Sequence, residues 1–291
     1  MWSGLQGFNT RLQGLARLLQ SQALLCQQQL QDTLIALKKD ARYSDPRSLV
    51  PFGRKVYSQT DEDGFICEIF NRIGTTDRSF VEFGIGNGLE NNSYALLFSG
   101  WKGIWIEGDP RATEEICRAL PKTIAAGALK VINSFITRDN INELLSPTGA
   151  SREIDLLSVD IDGNDFHVFD AITIVRPRVV VIEYNAKFPP PIVFCMDYDA
   201  SHVWSGDDCF GASLQFLEVA LRRKGYALVG CSLTGANAFF VREDLVADKF
   251  LAPFTAQNHY EPARYHLTQT SSGHRASFSA LERSASARIP A

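Results

Sequence analysis

Phe80–Asn92 reads FVEFGIGNGLENN. A short apolar run carries a carboxylate, Glu82, and three glycines follow at alternate positions, Gly84, Gly86 and Gly88. Glycine adopts positive φ without steric cost and lacks the Cβ that would hold a ligand away from the backbone. Asn91, Asn92 and Ser93 then supply residue types that start helices. The free N–H groups of a helix start favour an anionic group. Strand, glycine loop, helix is the order of a cofactor cradle; a tight glycine turn without a ligand is the alternative. The dinucleotide fingerprint G-x-G-x-x-G/A fits at Gly84 and Gly86 but meets Leu89 at its third position. The acid two residues before the first glycine is also foreign to that loop.

Outward from the loop, GWKGIWIEGDP ends a second strand at Glu107, about 20 residues on, where doubly wound folds place an acid on a ribose diol. Asp109 before Pro110 reads as a helix cap. Strands are predicted at Phe80–Phe83, Gly103–Ile106, Leu129–Ile132, Asp155–Val159 and Val179–Ile182, with a hairpin-like pair at Tyr226–Cys231 and Ala238–Val241. Helical patterns fit Glu62–Ile73, Ser93–Ser99, Arg111–Ala119, Asn140–Leu145, His167–Ile172 and Ala212–Lys224. The alternation predicts an α/β fold, a Rossmann-like doubly wound seven-strand sheet, mostly parallel with one antiparallel strand.

Composition narrows the function classes. Of 291 residues, 45% are apolar and 21% charged, enough for a sizeable core. With 29 basic against 33 acidic residues, the net charge of -4 predicts neither a nucleic-acid partner nor a polybasic membrane anchor. No apolar run approaches the ~20 residues of a membrane span, and the N-terminus lacks signal-peptide character. Six scattered cysteines with no C-x-x-C pair argue against a thiolate zinc site and suit a reducing, cytoplasmic setting.

Three regions differ in texture. Residues 1–45 form a helical extension: Leu5, Phe8, Leu12, Leu15 and Leu19 follow 3-4-3-4 spacing, slip at Gln22, and resume at Cys26, Leu30, Leu34 and Leu37. This predicts a helix packed on the main domain or a homo-oligomerisation helix. Residues 46–254 form the α/β domain. Residues 255–291 are Ser-, Ala- and Arg-rich and read as a flexible tail.

The glycine loop with Glu107 resembles class I S-adenosylmethionine-dependent methyltransferases. More narrowly, SQTDEDGFICEIFNRIG, FVEFGIGNGLENN, GWKGIWIEGD, DLLSVDIDGNDFHVFDAI and RPRVVVIEYN resemble the FkbM-like methyltransferases, over about Tyr57 to Glu243. The resemblance implies S-adenosylmethionine as methyl donor, held by Glu82, Gly84, Gly86, Gly88, Asn92 and Glu107. It also places Phe135, after the third strand, near the adenine.

The fourth strand ends at Asp160, with Asp162, Asn164 and Asp165 behind it. An EF-hand is excluded, because its glycine and final glutamate would fall on Asp165 and Ala171. A D-x-D of Asp160 and Asp162 would also suit a metal-dependent nucleotide-sugar glycosyltransferase, though that leaves the glycine loop unexplained. Glu183 and Asn185 end the fifth strand. In a doubly wound sheet they converge with Asp160, an oxygen set suited to Mg²⁺ or another hard divalent cation. The plainer reading is that these side chains bond loop backbone.

Between strand five and the next helix, an insertion carries Tyr198, His202, Trp204, Asp207 and Asp208. Loops over this edge commonly hold substrate. His202 is a candidate base beside Asp160, with His167 competing, and Asn237 is expected near the same edge. The expectation is methyl transfer to a hydroxyl of a small polar acceptor. A non-catalytic scaffold built on the same fold is the remaining alternative.

Overall fold

The computed structural model describes residues 2–146, 153–267 and 274–284, with side chains from Arg11 to Arg283. The side chains of Leu5 and Phe8, and tail residues 268–273 and 285–291, lie outside the described residues.

Seven strands form one sheet: β1 (Ser79–Phe83), β2 (Lys102–Glu107), β3 (Leu129–Asn133), β4 (Glu153–Val159), β5 (Arg176–Glu183), β6 (Tyr226–Cys231) and β7 (Asn237–Arg242). Their order is β3-β2-β1-β4-β5-β7-β6, and among the described strands β7 runs opposite to the other six. This is the predicted Rossmann-like architecture. The chain winds outward from β1 in both directions, since β1 pairs with β2 on one side and β4 on the other. That reversal opens a crevice at the C-terminal ends of β1 and β4, where open α/β sheets bind ligands.

The strands form because their residues are apolar on both faces, and helices cover both. On one face Phe80, Trp105, Val179, Val181 and Phe239 pack with Phe65, Ile66 and Ile69 of a helix at Glu62–Ile73. On the other, Val81, Leu157, Val180, Ile182 and Phe240 pack with Leu214, Leu217 and Leu221 of a helix at Leu214–Arg223. Val179 to Ile182 are fully buried, each contributing roughly 1.5–3 kcal/mol. Asp155 and Arg178 form a buried ion pair at 2.7 Å near the other end of the sheet. Asp155 also accepts the N–H groups of Thr76 and Arg78, and Arg178 donates to the carbonyls of Ile73 and Gly74.

The N-terminal helix, α1 (Trp2–Lys38), is continuous through the slip at Gln22. Leu34 and Leu37 pack on the domain, whereas every residue from Arg11 to Gln29 is exposed. At the other end of the chain, residues beyond 254 pack on the domain. Ala256, His259, Glu261 and Leu267 are buried. Glu261 accepts from the Tyr43 hydroxyl at 2.7 Å and pairs with Arg264 at 2.8 Å. A short helix at Ser279–Ser284 puts the Glu282 carboxylate on the N–H groups of Lys122 and Thr123. Ser-rich composition concealed these few anchoring residues.

Candidate active site

The glycine loop starts where β1 ends. Gly84 has φ +68°, and a Cβ there would stand 1.6 Å from the Asp160 carbonyl oxygen. Only glycine lets the loop pass this close to β4. Gly86, at φ +53°, has nothing within 4 Å of where its Cβ would be; its surface is left open to a cavity. Its N–H donates to Glu107 Oε2 at 2.7 Å, and Glu107 Oε1 accepts from Asp109 N at 2.9 Å. Asp109 in turn caps a helix at Pro110–Ala119 by accepting from Arg111 N. The ends of β1 and β2 are thereby joined through one carboxylate.

This loop walls a cavity of about 810 Å³ that also takes in Ser134, Phe135, Asp160, Asp162 and His202. Gly84, Gly86, Glu107 and Phe135 thus share one cavity. Glu82, Gly88 and Asn92 are not among its walls. Glu82 is buried beneath the loop, where it accepts from Asn92 N at 2.7 Å, Ser93 N at 3.0 Å and the Ser93 hydroxyl. Burial pushes its carboxyl up to about 7, against the pull of those donors. It positions the loop. Asn92 is buried with its amide donating to Ser158 Oγ, and Gly88 faces Phe278 and Ile116.

Three carboxylates, Asp160, Asp165 and Glu183, bring oxygens within 4.8 Å of one another. Burial first, then mutual repulsion, raises Asp160 and Glu183 well above the ordinary carboxylate range. Burial raises Asp165 to about 6, opposed by the Ile161 and Gly163 amides it accepts. Glu183 Oε2 is buried without a hydrogen-bond partner among the described residues. Asn185, expected in this group, is turned away: its amide donates to the carbonyls of Asp208 and Phe210, and its oxygen accepts from Lys187 N. Asp162 is not in the trio either. Its backbone lies at φ 54°, and its carbonyl meets His202 Nε2 at 3.1 Å.

The insertion folds over this edge. Trp204 stands between the large cavity and a second one of about 590 Å³, lined by Lys187, Asp207, Asp208, Phe210 and Tyr265. Asp207 also shapes the loop, accepting from Cys209 N while its carbonyl accepts from Trp204 Nε1. Tyr198 lines neither cavity: Arg138 lies 3.9 Å above its ring and His167 edges it. His167 bonds the Met196 carbonyl at 2.8 Å. Asn237 pairs with Glu183 in the sheet, but its amide points inward to Glu62 Oε1.

Residues 136–228 match the family model described as the methyltransferase FkbM domain. Two of the motifs that carry the resemblance, DLLSVDIDGNDFHVFDAI and RPRVVVIEYN, fall within this match. A search of curated proteins finds no match. Among solved structures the chain is similar to a candidate caffeoyl-CoA O-methyltransferase from Staphylococcus aureus, at 13% identity over 72% of this chain and 98% of that one, TM-score 0.45. It is similar to a candidate O-methyltransferase from Klebsiella pneumoniae, at 17% identity over 74% and 96%, TM-score 0.44. An O-methyltransferase from Bacillus cereus in complex with SAH shows 15% identity over 74% and 88%, TM-score 0.40.

The FkbM match contains β4, β5, the three clustered carboxylates and the insertion. The glycine loop and Glu107 precede it. Sequence reasoning missed Asp165 as a member of the carboxylate group, although Asp165 stands in the same quoted motif as Asp160. Tyr265 was also missed, because it arrives at the second cavity from a segment read as tail. Burial and the nearby Glu183 push the Tyr265 hydroxyl up to about 12.

Proposed function

We propose that the chain is an S-adenosylmethionine-dependent methyltransferase acting on a hydroxyl of a small polar acceptor. The observation that carries this reading is one cavity walled by Gly84, Gly86 and Glu107 on one side and by Asp160 and His202 on the other. The open backbone at Gly86 fits a close-lying ligand, and the Glu107 carboxylate fits a ribose diol. Phe135, half exposed at the rim, offers an apolar ring to an adenine. When bound, the donor supplies a sulfonium methyl that needs no further activation.

What remains for the protein is to orient the acceptor and remove its proton. His202 faces the cavity with Nε2 on a carbonyl oxygen, which can only accept; Nε2 therefore carries the hydrogen and Nδ1 is the basic nitrogen. Asp160 lines the same cavity, and burial first, then the charges of neighbouring carboxylates, raises both Asp160 and Glu183. The unpartnered Glu183 Oε2 and the all-oxygen donor set fit a hard divalent cation, held by Asp160, Glu183 and Asp165. Such a cation would lower the acceptor hydroxyl's pKa. The second cavity, sharing Trp204 with the first, is the proposed acceptor side.

Titration calorimetry with S-adenosylhomocysteine tests the donor assignment: binding in the micromolar range is expected, and absence of heat at millimolar ligand would remove it. Activity unaffected by both EDTA and Asp160→Ala would remove the cation. Asp162 standing outside the carboxylate trio argues against a glycosyltransferase D-x-D site.

A further inference from the structure

We infer that α1 pairs with the same helix of a second copy of this chain. From Arg11 to Gln29 the helix is exposed on every side, and among the described residues it has no cover. Leu12, Leu15, Leu18, Leu19, Leu24 and Leu25 are each exposed by about half or more, from 47% to 64%. Most of them form one broad face. Leu12, Leu15 and Leu19 extend the stripe that docks Leu34 and Leu37 on the domain, and Leu18 and Leu25 flank it. In proteins most helix stability comes from packing of an apolar face, and a leucine face needs a partner to be shielded.

The remaining surface of the helix says which partner. Between Arg11 and Gln31 the charged residues are Arg11 and Arg17 alone; the polar positions are mainly glutamine. A helix that lies on a lipid surface carries a Lys- and Arg-rich polar face, which this one lacks. A partner of opposite charge would find little to recognise. A second copy meets little like-charge repulsion, and leucines at 3-4 spacing are self-complementary across a two-fold axis. The helix up to Leu30 is about 44 Å long and about 10 Å wide with its side chains. A strip of that size covers on the order of 400 Å² per partner, the scale of a weak, reversible interface.

The test is the solution mass of the full chain by sedimentation equilibrium. The expected mass is twice the 32.3 kDa of one chain. The variant Leu12→Glu/Leu15→Glu/Leu19→Glu is expected to halve it, and deletion of residues 2–30 is expected to do the same. S-adenosylhomocysteine affinity, read in parallel, reports that the domain is intact; if the wild type binds none, circular-dichroism melting serves instead. A wild-type mass of one chain at tens of micromolar, any multiple other than two, or a variant that stays double overturns the pairing. A one-chain protein that sediments with anionic vesicles overturns it in favour of a lipid surface.

Discussion

The backbone N–H of Gly86 donates to the carboxylate of Glu107 at 2.7 Å, so the glycine loop after β1 is held by the residue that ends β2. The same carboxylate faces the large cavity. Glu107→Ala removes both a ligand acceptor and the anchor of the loop. The expected outcome is a 10- to 100-fold weaker affinity for S-adenosylhomocysteine, about 1.4–2.8 kcal/mol, with little change in melting temperature. Unchanged affinity by calorimetry would contradict the assignment of this cavity to the donor.

Gly84 and Gly86 are both at positive φ but differ in what surrounds them. A Cβ at Gly84 would collide with the Asp160 backbone, whereas at Gly86 it meets open space. Gly86→Ala is expected to cost about 1 kcal/mol, the strain of its backbone conformation. Gly84→Ala must separate β1 from β4 and is expected to cost roughly 3 kcal/mol or more. Urea unfolding of the two variants measures the difference, and equal costs would show that the loop yields at both places.

Glu82 gives the stability a pH dependence of definite sign. Its folded carboxyl titrates near 7 and its unfolded one near 4.5. Between these values the folded state holds a proton that the unfolded chain has released. The contribution is complete below the unfolded value and is lost as pH rises through 7. The wild type should therefore be less stable at pH 8 than at pH 5, by on the order of 3 kcal/mol from this group. Glu82→Gln should flatten that slope while lowering stability at pH 5 by about 1–3 kcal/mol. A wild-type profile that rises from pH 5 to 8 would refute the account.

Far from the site, the Asp155–Arg178 pair ties β4 and β5 to the turn that precedes β1. Asp155→Ala leaves Arg178 buried and uncompensated, for an expected loss of about 3–5 kcal/mol. Ligand affinity of the folded fraction should not change. A loss under 1 kcal/mol in denaturant melts would mean that water replaces the carboxylate.

The strands and the glycine loop were legible because local pattern determines them. Val179–Ile182 can only be a buried strand, and Gly84 and Gly86 announce a tight loop after an apolar run. Side-chain roles at the strand ends were less legible. Asp160, Glu183, Asn185 and Asn237 are alike in being polar residues at or beside a strand end. Whether each faces the cavity or the loops depends on neighbours distant in sequence. Asn185 is taken by Asp208 and Phe210, and Asn237 by Glu62. Tyr265 reaches the second cavity across a gap of more than 50 residues from the insertion that forms its other wall, a contact that no local periodicity records.

The position of β7 between β5 and β6 bears on how the chain reaches this fold during synthesis. β6 leaves the ribosome before β7, yet among the described residues its only neighbour in the sheet is β7. Until residues 237–242 emerge, β6 has no strand to join and the outer edge of β5 stays bare. The last strand made fills the gap, so a nascent chain halted before Asn237 exposes an unpaired hydrophobic edge, the kind of surface on which chaperones act.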